Sequence, residues 1–305
     1  MRGVIIAILT CAALPAFAAP EQIAPGTWRI AGGIPKDRQP DGNTVVWQGR
    51  DGLVVLDTGR HLSQSDAIIA LADQRRAPVA TIINSHWHLD HVSGNARLKA
   101  KWPQAKVYAT AAINDALTGF LARGAKANAQ MVADGKLPPD TLNDLKIDMA
   151  TVANGDALKP DVTVSQTETV RLAGKRLVLH VAHGATAGDI WVYDPAAKLV
   201  ASGDLVTLPV PFLDTADARA WSQALGEIAA TDFVKLVPGH GAVMSRAQFA
   251  RYRGAFDRFI ACAATPSQSC GEDWVADTAS LRDPGDEKRA RGMIGYYVDV
   301  LRKPT

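Results

Sequence analysis

Apolar residues in this chain fall into short continuous runs as well as helical stripes. Residues 79–83 (Val-Ala-Thr-Ile-Ile) are largely apolar and β-branched, which predicts a buried strand. Residues 44–47 and 53–56 form two similar runs, and the Gly49-Arg50-Asp51-Gly52 between them contains Asp-Gly, a hairpin signal. Residues 26–30 predict a strand ahead of this hairpin. Residues 64–75 then place Ile68, Ile69, Leu71 and Ala72 at helical spacing. Strand, helix, strand in that order makes a βαβ unit with parallel strands. Residues 95–101 predict a helix and 106–108 another strand.

Residues 110–150 are alanine-rich and mostly helical, with breaks at Gly135 and Pro138-Pro139. That is longer than an ordinary connection. It either overhangs a pocket or forms a peripheral helical hairpin. A second β-rich half follows, with strands expected at 161–166, 168–172, 176–181, 190–193, 199–201 and 233–237. Trp221, Leu225 and Ile228 mark a helix within residues 218–228. Phe249, Tyr252, Phe256 and Phe259 mark another, and Met293, Ile294, Tyr297, Val298 and Leu301 mark a closing amphipathic one. The class is α/β. Residues 19–243 are expected to make the main domain, with 244–305 as helices packed on it.

With 305 residues and 47% apolar content, the chain can bury a large core. Its net charge of +2 lacks the basic footprint of a nucleic-acid or membrane-surface binder. Met1-Arg2 is a basic tip, residues 4–14 are apolar but too short to span a bilayer, and Ala16-Phe17-Ala18 has the form of a signal-peptidase site. Residues 1–18 therefore read as a removable secretory signal, with a periplasmic or secreted product that keeps no stable membrane association. Once the signal is gone, Cys262 and Cys270 are the remaining cysteines. An even pair in an oxidising compartment predicts a disulfide.

The chemistry concentrates after residues 79–83, in Ser85-His86-Trp87-His88-Leu89-Asp90-His91. A loop leaving the end of a strand is where an α/β sheet presents its ligands. In extended chain, residues two apart point the same way, so His86 and His88 can reach one cation together. Asp90 and His91 lie further round the turn and can face a second. Imidazole nitrogen and carboxylate oxygen suit zinc and related metals.

His86-X-His88-X-Asp90-His91 resembles the signature of the metallo-β-lactamase superfamily. Further landmarks fall in that family's order: 54–59 (Val-Val-Leu-Asp-Thr-Gly), 186–189 (Thr-Ala-Gly-Asp), 202–204 (Ser-Gly-Asp) and 238–241 (Pro-Gly-His-Gly). The resemblance implies a four-layer αβ/βα sandwich with one or two metal ions at the sheet edge. It implies that Asp57 supports the site from behind its ligands, that Asp204 bridges two cations, and that His240 completes the second site with Asp90 and His91. The sequence departs from the pattern at Ala185, where a ligand histidine ordinarily stands before Thr-X-Gly. His183 could substitute, no third histidine could be present, or His180 could reach in, in that order of expectation.

The expected activity is hydrolysis of a small-molecule ester-like carbonyl (a lactone, thioester or amide) by zinc-activated water, with Asp90 as the catalytic carboxylate. There is no Gly-X-Ser-X-Gly elbow to supply a serine nucleophile. Three other roles stay open: a sulfur- or quinoprotein-pathway metalloprotein using iron, a β-lactamase, and a non-catalytic metal-binding module. Residues 110–150 and 205–217 are expected to set specificity.

Overall fold

Strand alternation builds two sheets whose inner faces meet. The computed structural model describes residues 19–303; the expected signal segment, 1–18, lies outside the described residues. The first half of the chain runs β1 (Glu21–Ala24), β2 (Thr27–Ile30), β3 (Thr44–Gln48), β4 (Leu53–Leu56), α1 (Leu62–Arg75), β5 (Val79–Ile83), α2 (Leu89–Val92), α3 (Asn95–Lys101), β6 (Lys106–Ala109), α4 (Ala112–Thr118), α5 (Phe120–Asp134), α6 (Pro139–Ala153) and β7 (Val162–Thr163). The second half runs β8 (Glu168–Leu172), β9 (Lys175–Ala182), β10 (Asp189–Asp194), β11 (Leu199–Ala201), α7 (Ala218–Ala230), β12 (Lys235–Val237), β13 (Met244–Ser245), α8 (Arg246–Ala263), α9 (Cys270–Asp277) and α10 (Glu287–Arg302).

The first sheet has the order β1-β2-β3-β4-β5-β6-β7 and the second β13-β12-β11-β10-β9-β8. Strands β4, β5 and β6 are parallel neighbours, as are β11 and β12. Val45, Trp47, Val54 and Leu56 point inward against Leu177, Leu179, Ile190 and Val192 of the second sheet. The residues between them, Val46, Leu53 and Val55, point outward against Ile68 and Leu71 of α1 and Leu98 of α3. Burial on both faces is why these strands read as unbroken apolar runs. On the far side, Trp191, Val200 and Leu236 pack against Trp221, Leu225, Phe249, Tyr252, Phe256 and Ile294 of the later helices. The result is the expected helix, sheet, sheet, helix layering.

Several bounds differ from the sequence reading. Strand β1 forms a hairpin with β2 that the sequence did not announce, because only Ile23 of its residues is buried. The strand expected at 161–166 shrinks to Val162–Thr163. The helical stretch breaks at Gly119 as well as at Gly135 and Pro138. Helices α7 and α8 begin where side chains cap them. Asp217 accepts from the Arg219 and Ala220 amides, and Ser245 and Gln248 form a reciprocal capping box.

Cys262 and Cys270 form a disulfide across the turn between α8 and α9. Among the described residues no helix is long and apolar enough to cross a membrane. Closing so short a loop stabilises the fold by roughly 2–3 kcal/mol on the chain-entropy model. Replacing both cysteines with serine should lower the melting temperature by several degrees in thermal unfolding, and reductant should then have no further effect.

Candidate metal centre

Each polar group of the centre leaves the carboxyl end of a strand. Strand β4 ends at Leu56 and delivers Asp57; β5 ends at Ile83 and delivers Ser85 and His86. His88 stands at the N-terminus of α2, which turns Asp90 and His91 back towards the sheet edge. Strand β11 delivers Asp204, and β12 delivers Pro238-Gly239-His240. Two glycines allow the close approach. A Cβ at Gly239 would lie 1.9 Å from Asp204 Oδ1, and one at Gly42 would lie 2.3 Å from the His91 ring.

The donors converge in two overlapping groups, His86 with His91 and Asp204, and Asp90 with His91 and His240, each within 4.8 Å. His240 Nε2 is 3.0 Å from Asp90 Oδ2 and 3.6 Å from Asp204 Oδ1. His91 Nε2 is 3.3 Å from Asp204 Oδ1 and 3.7 Å from Asp90 Oδ2. His86 Nε2 faces the other oxygen, Asp204 Oδ2, at 3.9 Å. Donors bound to one zinc at about 2.0–2.2 Å stand about 3.3–3.6 Å apart at tetrahedral angles, so these separations suit a shared cation. Asp204 turns one oxygen to each group, the disposition of a bridging carboxylate.

Hydrogen bonds around the centre fix the imidazole tautomers. Asp57 accepts from the Ser85 amide at 2.7 Å, from Ser85 Oγ at 2.6 Å and from His91 Nδ1 at 2.8 Å. Because Ser85 Oγ gives its proton to Asp57, it accepts from His86 Nδ1 at 2.9 Å. Both Nδ1 atoms therefore carry hydrogens, and in the neutral rings that bind a cation both Nε2 atoms present lone pairs. His86 Nε2, His91 Nε2 and Asp204 Oδ1 are buried with no hydrogen-bond partner. Buried polar atoms are rarely left orphaned. Three on one point, all acceptors, make a place for a cation, and the residues present fit one.

Charge tells the same story. Burial alone would raise the Asp90 carboxyl, yet His91 and His240 hold it well below the usual range. Asp204, equally buried, is depressed by His240 and His91. Burial opposes a charged His91, but Asp204, Asp90 and Asp57 around it raise its imidazole well above normal. A pocket walled by three carboxylates demands positive charge. Burial pushes His88 down to about 4, so it stays neutral and keeps a lone pair.

His88 lies beside the clustered donors, its ring 4.4 Å from that of His86. Its Nε2 is 3.1 Å from Thr215 Oγ1, which donates to the Ala185 carbonyl at 2.9 Å. Thr215 must therefore accept from His88 Nε2, which leaves the lone pair on Nδ1. Thus six expected residues gather here: His86, His88, Asp90, His91, Asp204 and His240.

His183 does not join them. It is exposed, and its Nδ1 donates to the Ala187 carbonyl at 2.6 Å. Strand β9 ends at Ala182, so the two-residue alternation that would have aimed His183 inward stops just before it. His180 lies on the outer face of the second sheet, stacked on Trp191 at 3.6 Å. No histidine takes the place of Ala185.

The sequence reading missed a second polar layer. Arg60 pairs with Asp148 of α6, donates to the Pro40 carbonyl at 3.0 Å and stands 3.9 Å from Asp90. His61 is buried between Asp41 at 2.5 Å and Asp144 of α6 at 3.1 Å. Burial works against its charge, but Asp41 and Asp144 prevail and raise its pKa. These contacts seat the α5–α6 pair over the centre, so residues 110–150 overhang the pocket. The cavity beneath has a volume of about 330 Å³ and reaches from His88, Asp90, Asp204 and His240 to Met293 of α10.

Comparison with known proteins places this geometry. An atrochrysone carboxyl ACP thioesterase of Aspergillus fumigatus is 28% identical over 86 residues, which are 28% of this chain and 27% of that protein. The chain thus matches about a quarter of that relative's length. The stereoselective inverting sec-alkylsulfatase Pisa1 from Pseudomonas sp. superposes with a TM-score of 0.63 and 19% identity, over 93% of this chain and 50% of that one. A metallo-beta-lactamase from Pontibacter korlensis superposes with a TM-score of 0.57 and 18% identity, over 78% of this chain and 98% of that one. At such identities the likeness is one of fold. The family model of the metallo-beta-lactamase superfamily matches residues 38–240, and this chain belongs to that superfamily.

Proposed function

We propose that the protein is an exported metal-dependent hydrolase that cleaves an ester-like carbonyl, a lactone, thioester or amide, with water as nucleophile. The observation that carries this reading is the convergence of orphaned acceptors on His86, His91 and Asp204 at the end of a cavity. The thioesterase named above lends support to an acyl substrate. The disulfide supports an oxidising compartment, in line with the secretory pattern of residues 1–18.

His91, His240, Asp90 and Asp204 Oδ1 would hold one ion, and His86, His88 and Asp204 Oδ2 a second. Nitrogen and oxygen donors in this mixture favour zinc, with iron the alternative. A bound ion of this kind lowers the pKa of water from about 16 towards about 7 and polarises a carbonyl oxygen.

The remaining work falls to the chain. Asp90, held ionised, accepts a proton from the attacking water at its carboxylate. The water oxygen bonds to the carbonyl carbon, the bond to the leaving oxygen, sulfur or nitrogen breaks, and the proton passes from Asp90 to that atom. Arg60, 3.9 Å from Asp90 Oδ1, keeps the carboxylate oriented. Helices α5 and α6 limit access of bulk water, which strengthens every charge interaction beneath them.

Asp90→Asn should cut kcat at least a thousandfold while thermal unfolding shifts by no more than a few degrees. Activity that survives this change, or survives exhaustive chelation, would refute the mechanism. Asp57→Ala should weaken metal binding about 10–100-fold, read by competition with a chromogenic chelator. The two sites should also differ. Equilibrium dialysis should find one tight and one weak ion per chain, and Ala185→His should tighten the weak one; two ions of equal affinity in the unaltered protein would contradict the assignment.

A further inference from the structure

The cavity over the centre has two unlike ends. Its inner end carries His88, Asp90, Asp204 and His240; its outer wall is made by Trp87, Phe120, Leu121, Val210, Phe212 and Met293. The aromatic wall begins at a ligand. The Phe212 ring lies 5.0 Å from that of His88, Trp87 lies 5.5 Å from Phe120, and Phe120 lies 6.3 Å from Phe212. These rings come from three separate segments: the ligand loop, α5 and the loop after β11.

Among the described residues that line the cavity, Arg60 is the one arginine or lysine, and it is already engaged. Its side chain is 8% exposed, paired with Asp148, bonded to the Pro40 carbonyl and close to Asp90. An anionic substituent held away from the metal-binding groups would meet Asp148 and apolar side chains, with no free cation to receive it. Desolvating such a charge without a partner is strongly unfavourable. An apolar group meets Trp87, Phe120, Leu121, Val210 and Phe212.

We propose that the cavity is an acyl-binding site for an uncharged, apolar acyl group, aliphatic or aromatic, seated against the wall made by Trp87, Phe120 and Phe212. This deepens the hydrolase reading and rests on it. The carbonyl then lies at the histidine end and the leaving group towards the open side. At about 30 Å³ for each water-sized group, the volume holds roughly ten non-hydrogen atoms, a medium-length acyl chain. Each methylene moved from water into such a wall should raise kcat/KM about fourfold until the space is filled.

Gly124 supplies the controlled variant. It sits on α5 in the cavity lining, and a Cβ there meets nothing within 4 Å. Gly124→Phe therefore adds bulk to the lining without a clash at its Cβ, and Gly124 is none of the metal-binding groups. The experiment uses the full zinc-loaded chain with methyl esters of acetic, butanoic and octanoic acids and with monomethyl suberate. Calorimetric titration with acetamide, butanamide and octanamide gives a readout independent of turnover.

The expected result is a rise in kcat/KM from acetate to octanoate, at least a hundredfold loss for monomethyl suberate against methyl octanoate, and tighter binding of octanamide than of acetamide. In Gly124→Phe, kcat/KM for methyl octanoate should fall at least tenfold more than kcat/KM for methyl acetate. Ester cleavage with no dependence on chain length, or with suberate preferred, would overturn the acyl site and leave the hydrolase reading standing. Octanamide binding without cleavage of any ester, of octanamide itself, or of an octanoyl thioester and an octanoic-acid lactone run beside them, would uphold the apolar site and overturn the hydrolase reading. Neither binding nor cleavage would overturn both.

Discussion

Asp57 is buried, its backbone lies in the left-handed region at φ 60°, and its two oxygens take three hydrogen bonds from Ser85 and His91. A residue with a Cβ enters that region at a cost of about 1–2 kcal/mol. The strain is held because the three donors satisfy a carboxylate that would otherwise be buried without partners. Through Ser85 Oγ the same carboxylate also orients His86. One side chain thereby sets the tautomers of two imidazoles and points both Nε2 lone pairs at the same place. If either ring turned over, a bond to Asp57 or Ser85 would be lost, so the ligand loop keeps its shape through contacts that do not themselves involve a cation.

That arrangement works only because the strand ends already meet. Strands β4 and β5 run parallel in one sheet, and β11 and β12 run parallel in the other. The carboxyl ends of both pairs open at the same edge of the sandwich. The segments bearing Asp57, His86, Asp204 and His240 are far apart in sequence but leave neighbouring strands at this edge. Backbone bonds tie them further: the Asn43 amide donates to the Gly239 carbonyl at 2.7 Å, the Ile190 amide to the Ser85 carbonyl at 2.6 Å, and the Gly239 amide to the Gly203 carbonyl at 2.8 Å. The missing side chain at Gly239 lets Asp204 and His240 occupy the same small volume.

What the sequence made legible follows the range of each interaction. His86, His88, Asp90 and His91 were readable because their spacing is local and the preceding strand is plainly apolar. Asp204 and His240 were legible through the superfamily resemblance, which singles out these polar residues after two apolar runs. His183 misled because alternation holds only while a strand lasts, and β9 ends one residue before it. Arg60 and Asp148 are 88 residues apart, and no local pattern joins them. The same holds for His61 and Asp144: until α6 is placed over the sheet edge, each looks like an ordinary surface charge. The overhang of 110–150 became decidable only through these long-range pairs.

The pairs also connect the cavity wall to the reacting groups. Arg60 touches Asp148 on the overhanging helix and faces Asp90 at the centre, so one guanidinium borders both. His61 grips Asp144 one turn earlier on that helix, and Arg38 adds two bonds to the same carboxylate. A helix held by buried charges at two successive turns is fixed in register over the pocket, and its apolar face is fixed with it. The cations that anchor the cover are consequently already paired with its carboxylates. Excluding water in this way lowers the local dielectric and magnifies the field of the carboxylates on whatever cation lies between them. On the proposed reading, fixing the cover and selecting an uncharged guest are two consequences of one set of ion pairs.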